Sequence, residues 1–282
     1  MKLFTQVSCP PPGISISLED KTMVLGSCFA DSVGAKMSAA GFDVCVNPFG
    51  TLYNPASVRL AVSRLCSGAR FTEEDCVPMG AGSDLICSFS HHTSFARPDA
   101  GAFLDNANAA LERACGFWKE AGKVVLTFGT AFVWKHRDAG IVANCLKRPA
   151  SEFTREMLDV DGCAAFIADA CAAQGKEFIL TVSPIRHLGQ GAHENTLSKA
   201  TLQLAVQRCL GPGIGYFPSY EILLDELRDY RWYAENDLVH PSAGAVDIIW
   251  SRFREAVVPP SEWDTLAANE KAARHMAHRS LH

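Results

Sequence analysis

The sequence predicts an α/β protein, a mostly parallel sheet covered by helices on both faces in a three-layer α/β/α sandwich. Three observations predict it. The apolar, β-rich runs TMVL (22–25), FDVCV (42–46), KVVLTFGT (123–130) and EFILTVSPI (177–185) have strand length. Between them lie segments whose apolar residues recur at three- and four-residue spacing, the period of a helix resting one face on a sheet. Gly, Pro, Asn and Asp punctuate the joins.

The elements follow in chain order. The first strand stops at Gly26, and Phe29, Val33, Met37 and Ala40 then mark a helix that Gly41 terminates. FDVCV is the second strand, followed by the turn-rich NPFGTLYNP. Asn54 is placed to cap the next helix, with Pro55 in its first turn and SVRLAVSRL as its body. Residues 67–100 read as a long loop region with short elements. A helix over 104–120 leads into KVVLTFGT. AFVWKH and IVANCL flank RDAG as a hairpin with its turn at Asp138 to Gly140. A helix near 161–174, the strand EFILTVSPI and a helix over about 195–210 complete the alternation. The run EILLDELRDYR reads as an exposed helical face. The chain divides into one domain over 1–258 and a peripheral helical tail over 259–282.

Bulk properties narrow the partners. The 282 residues are 48% hydrophobic and 20% charged, with a net charge of −5, which gives no electrostatic case for nucleic acid or an anionic membrane. No apolar run approaches the ~18 residues a membrane helix needs. The opening MKLFTQVSCPPPG is too soon broken by proline to read as a secretory signal. Eleven scattered cysteines, none in a Cys-x-x-Cys pair, fit a reduced, cytoplasmic protein better than a disulfide framework or a zinc site. Neither metal nor organic cofactor is expected, and the oligomeric state is not legible.

The chemistry is expected where strands hand over to helices, because ligands of parallel sheets bind beyond the strands' carboxyl ends. Ser27, Gly50, Thr130 and Pro184 all follow a predicted strand or lie in the loop it feeds. Ser27 sits at a helix start, as a nucleophile would, though a plain N-cap serine looks the same. A serine nucleophile needs an oriented base. WYAENDLVHPSAGAVDIIWSRF offers Asp237 and His240 in one short loop before a helix, so the carboxylate can stand behind the imidazole. Cys28 is a rival nucleophile, expected to turn toward the core. His92 is a candidate pocket residue, Arg186 a candidate holder of an anionic group, and His187 a candidate with no neighbouring carboxylate to orient it.

Here the sequence resembles a known family. GSCFA at 26–30 is the signature of GSCFA-domain proteins, which are similar to the SGNH (GDSL-type) hydrolases. NPFGTLYNP, TFGTA (127–131), VANC (142–145), TVSPIRH (181–187), SKATL (198–202), YFPSYEILLDELRDYR (216–231) and DLVHP (237–241) carry the same resemblance. It implies an SGNH-like fold and a serine esterase or acyltransferase working through an acyl-enzyme on a small-molecule ester, of a carbohydrate or another polar metabolite. Ser27 is then the nucleophile, His240 the base and Asp237 its orienting partner. The backbone N–H groups of Ser27 and Gly50 serve the oxyanion. The superfamily's Gly-x-Asn-Asp block is replaced by Gly129-Thr130-Ala131-Phe132, so Thr130 or Asn144 is expected to supply the missing donor. The alternatives are a non-catalytic ligand-binding protein on the same fold, and thiol chemistry at Cys28.

Overall fold

The computed structural model describes residues 5–80 and 82–279. Its central sheet has five parallel strands: β1 (Lys21–Gly26), β2 (Asp43–Val46), β5 (Lys123–Phe128), β9 (Glu177–Val182) and β10 (Ile214–Tyr216), in the order β10-β9-β5-β1-β2. Two smaller sheets stand apart from it. β3 (Val77–Pro78) and β4 (Ile86–Cys87) pair within the loop region, and β6 (Phe132–His136), β7 (Gly140–Val142) and β8 (Phe153–Met157) form an antiparallel three-stranded sheet.

Both faces of the central sheet are buried, so its strands read as continuous apolar runs rather than alternating ones. Met23, Leu25, Val124, Leu126, Phe128, Phe178, Leu180 and Val182 share one core with α2 (Pro55–Ser67), α3 (Ala100–Glu120), α4 (Val160–Cys171) and α5 (Ala192–Cys209). Val24, Val125 and Ile179, on the opposite pleat, pack with α1 (Cys28–Ala39) and α7 (Ala243–Val257). The result is the three-layer α/β/α sandwich expected from the sequence. Gly34 lets α1 approach closely, since a Cβ there would strike the Val46 side chain.

Several local expectations meet their physical cause. Asn54 caps α2, its Oδ1 accepting the Ser57 N–H at 2.9 Å, with Pro55 in the first turn. The hairpin turns where RDAG was placed, with Gly140 at φ +70. Two strands escaped sequence reading. β8 carries FTREM, and β10 is only the three residues IGY, too short to show a period. The stretch EILLDELRDYR also differs from the exposed face expected of it. Ile222 and Leu223 are fully buried, because after one turn, α6 (Ser219–Glu221), a π-helical segment (Ile222–Leu227) rotates them inward.

The C-terminal helix, α8 (Trp263–Arg279), is tied to the body at several points. Leu266 is fully buried, Asn269 donates to the Ala40 carbonyl at 2.9 Å, and Trp250 Nε1 donates to Glu270 at 2.8 Å. No helix among the described residues is long and apolar enough to cross a membrane.

Candidate functional site

β1, β5 and β9 end side by side, so the loops after Gly26, Phe128 and Val182 converge on one edge of the sheet. The turn out of β1 is tightly held. Gly26 takes φ +134 with its N–H bonded to Asn47 Oδ1 at 2.8 Å, and its carbonyl accepts the Leu52 N–H at 2.8 Å. These bonds fasten the NPFGTLYNP loop beside the start of α1. The carbonyl of Tyr53 in that loop in turn accepts the N–H groups of Gly129 and Thr130, at 2.8 and 2.9 Å.

Ser27 does not face the cleft. It is fully buried, its N–H donates to the Thr127 carbonyl and Oγ1, and its Oγ lies 3.1 Å from Thr127 Oγ1. That oxygen also accepts the Phe29 N–H as the N-cap of α1, at 3.3 Å. All of its polar capacity is spent inside, which corrects the expectation of a serine nucleophile. Cys28 stands in its place: Sγ lies 3.3 Å from His240 Nε2. His240 Nδ1 lies 2.6 Å from Asp237 Oδ2. Thiol, imidazole and carboxylate therefore stand in line.

The loop carrying the last two is shaped by Asp237 itself. Its Oδ1 accepts the N–H groups of Val239 and His240 at 2.8 and 3.0 Å. Those two bonds, and then the His240 ring, hold its carboxyl down to about 2, so it is ionised at neutral pH. An ionised Asp237 accepts from Nδ1–H, which leaves Nε2 free to accept from the thiol. Leu238 at φ +54 is the strained residue at the tip of this turn. Burial pushes the Cys28 thiol up to about 11, with Asp31 adding to the effect. The resting nucleophile is thus a thiol, and not a preformed thiolate.

A cavity of about 410 Å³ opens over these groups. Its walls include Cys28, Tyr53, Asn54, Thr130, His187 and His240, and the small sheet adds Phe132, Trp134 and Arg155. Trp134 and Arg155 are cross-strand partners, so β6 and β8 present both to the same rim.

The remaining expected residues fall in several places. Gly50 is spent on the loop: its N–H donates to the Asn47 carbonyl at 2.7 Å, and His92 packs against its α-carbon where no Cβ would fit. It is no oxyanion donor, and neither it nor His92 lines the cavity; His92 instead caps a short turn through Ser94. Asn144 is also turned away, its Oδ1 accepting the Leu146 N–H at 2.8 Å. Thr130 does reach the cavity, but its Oγ1 already bonds Ser198 Oγ at 3.0 Å and accepts the Phe132 N–H at 3.1 Å.

Arg186 holds the triad loop rather than the cavity. Its guanidinium lies over Tyr230 and Tyr233, 5.6 and 5.0 Å from the ring centroids, and its N–H donates to the Val239 carbonyl at 3.1 Å. His187 lines the cavity with a buried Nε2 that has no partner among the described residues, and burial with the nearby Lys199 lowers it to about 4, so it stays neutral.

Sequence reasoning missed one functional neighbour and ranked another second. Lys199 in the SKATL motif is wholly buried, its Nζ donating to the Gly129 and Ser183 carbonyls at 2.6 and 2.8 Å and so joining the ends of β5 and β9. Cys28 was legible only as a rival nucleophile; that its thiol and not the Ser27 hydroxyl meets His240 is decided by the fold.

A second cavity, of about 440 Å³, lies among Phe49, Ser57, Arg64, Phe71 and Ser88 and contains none of the three aligned groups. Among the described residues, no three His, Cys, Asp or Glu side chains gather as metal ligands would.

The fold and the site together define a parallel α/β protein with a thiol, an imidazole and a carboxylate aligned at the carboxyl edge of its sheet. The chain belongs to the GSCFA family, whose model matches residues 21–253. No curated protein matches it. Among solved structures it is similar to a carbohydrate esterase family 2 (CE2) enzyme plus carbohydrate binding domain from Corynascus thermopiles (Myceliophthora fergusii). That likeness has 12% identity and a TM-score of 0.39, over 90% of this chain and 68% of the other.

Proposed function

We propose that the protein is an acyl-transferring enzyme, an esterase or acyltransferase of the SGNH type, with Cys28 as its nucleophile. The observation that carries this reading is the alignment of Cys28 Sγ, His240 and Asp237 at 3.3 and 2.6 Å, with the thiol and imidazole on the wall of an open cavity. His240 Nε2 takes the thiol proton as Sγ attacks the ester carbonyl, and the C=O π pair moves onto oxygen. When that pair returns, the C–O bond to the alcohol breaks and the alcohol leaves with the proton from Nε2. Water or a second alcohol gives its proton to Nε2 and attacks the thioester carbon; Sγ departs and recovers the proton. Asp237 holds the ring with Nδ1–H inward and stabilises the imidazolium formed at each step.

The cavity suits a small acyl group with a polar alcohol part. Tyr53, Ile185 and Val239 supply apolar wall, while Trp134 and Arg155 on the rim offer a flat face and a cation to the leaving portion. A binding protein without turnover is the second reading, favoured by the missing asparagine after β5.

Treatment with p-nitrophenyl acetate followed by peptide mapping tests the choice. An acetyl group is expected on Cys28. Cys28→Ala and His240→Ala should abolish or strongly suppress it, and Ser27→Ala should retain it. Acetylation that moved to Ser27 would restore the serine mechanism. No acetylation of the folded protein would favour binding alone.

A further inference from the structure

Acyl transfer at Cys28 needs somewhere for the carbonyl oxygen to place its new charge, and none of the residues expected to serve this is placed to do so. The Gly50 N–H and the Thr130 hydroxyl are engaged elsewhere, and Asn144 does not line the cavity. The Ser27 N–H is bonded to Thr127.

Asn54 is in a different position. It is 5% exposed, and it lines the same cavity as Cys28 and His240. Its Oδ1 is fixed by capping α2, accepting the Ser57 N–H at 2.9 Å. That bond decides which end of the amide is which, and it leaves Nδ2 as the free end. Nδ2 has no hydrogen-bond partner among the described residues. Nδ2 is not among the enclosed polar atoms, so the acceptor it lacks within the protein can be supplied by a molecule in the cavity. Its backbone is not free to drift. Asn54 follows Tyr53, whose carbonyl is bonded to both Gly129 and Thr130.

The second free donor is the N–H of Cys28. Cys28 opens the twelve-residue helix α1, so its N–H has no carbonyl one turn back to bond, and it meets no other acceptor among the described residues. The helix dipole adds positive potential at the same point.

We infer that Asn54 Nδ2 and the Cys28 N–H form the oxyanion site of this protein, taking the charge that the acyl carbonyl oxygen gains when Sγ adds to its carbon. Asn54 thereby does from the β2–α2 loop what an asparagine after β5 would otherwise do. The ligand class is the tetrahedral oxyanion of a carboxylic ester or thioester. This assignment rests on the acyl-transfer reading above.

The test compares two reactions of the same thiol. Acetylation by p-nitrophenyl acetate places negative charge on a carbonyl oxygen. Alkylation by iodoacetamide displaces iodide at a saturated carbon and places none there. Asn54→Asp keeps the capping oxygen and removes both N–H donors; Asn54→Ser keeps a capping oxygen without adding a charge. Both rates are followed at the Cys28 peptide by mass spectrometry.

In both variants acetylation should fall by ~10²-fold or more, the loss seen when one oxyanion donor is removed. Alkylation of the Asn54→Ser protein should match that of the parent. Undiminished acetylation in both variants would overturn the assignment of Asn54 and leave the acyl-transfer reading standing. Equal losses of alkylation and acetylation in Asn54→Ser would overturn it as well, marking a disturbed thiol instead of a lost donor. A parent protein that is alkylated and never acetylated would overturn the acyl-transfer reading itself, and the oxyanion site with it.

Discussion

At the scale of single residues, Ser27 and Cys28 divide one turn between structure and chemistry. The hydroxyl is a strong acceptor and the better helix cap, and it sits inside, on Thr127. The thiol caps poorly, but it is polarisable and gives up a proton more readily than a hydroxyl does. Burial raises Cys28 to about 11 from a usual value of 9.0, so at neutral pH the folded protein holds it as the thiol. In the proposed mechanism its reactivity there comes from His240 taking the proton during attack. The sign of the consequence is fixed. Without the imidazole, only the thiolate fraction reacts, and that fraction grows tenfold per pH unit up to the folded value. Alkylation of Cys28 in His240→Ala should therefore be slow at pH 7 and climb steadily toward about pH 11. The parent should react faster at neutral pH and show a flatter profile. Identical profiles for the two proteins would mean that His240 does not activate the thiol.

At the scale of elements, the strand-to-helix turn from β1 into α1 sets where the thiol stands. Gly26 holds φ +134, a conformation that side chains rarely adopt, and an added Cβ would strike the Thr127 carbonyl oxygen. That carbonyl also accepts the Ser27 N–H, so the contact cannot open without releasing the cap. Gly26→Ala should cost ~3 kcal/mol or more, from backbone strain and overpacking together, read as a lower urea midpoint. Midpoints that agree within error would show that the turn is not set by this close approach. The partner element is the loop from Asp229 to Pro241, which brings His240 to the thiol. Its footing is Arg186 against Tyr230 and Tyr233, with Ser242 capping α7 behind it. A cation over two rings contributes ~1–2 kcal/mol in all toward holding that loop in place.

At the scale of the whole molecule, the buried titratable groups impose opposite trends with pH. Burial lowers Lys199 from 10.5 to about 7. The unfolded chain then binds the extra proton between those two values, so stability from this group rises with pH across that window. The buried thiols act the other way. Cys28 and Cys45 are pushed up to about 11, and Cys163 and Cys171 to about 12, all by burial, from 9.0. Above pH 9 it is the folded protein that keeps the protons, and stability falls as the pH climbs through 9 toward 12. Denaturation midpoints measured under reducing conditions should rise from pH 7 toward 9 and drop beyond it. A midpoint that kept rising to pH 11 would show that the thiols are not shielded as the core places them.

What the sequence determined by itself was whatever depends on near neighbours. The strand runs around Val24, Val125 and Ile179, the Asn54-Pro55 helix start and the Asp-x-x-His loop are all written within a few residues, so their local chemistry was enough to place them. The tertiary structure decided which side chains meet. Ser27 and Cys28 are adjacent, and at a helix start successive side chains point in quite different directions. Which one faces the base depends on Thr127, 100 residues away, and on His240, 212 residues from the thiol. The same holds for β10, three residues long, which is a strand only because β9 lies beside it to pair with. It holds for Asn54 too, a helix cap in sequence whose free amide end becomes a wall of the cavity only once β1, β5 and β9 bring their ends together. Such placements rest on contacts between distant segments and on the direction each Cβ takes in the folded sheet, and a local pattern of residues carries neither.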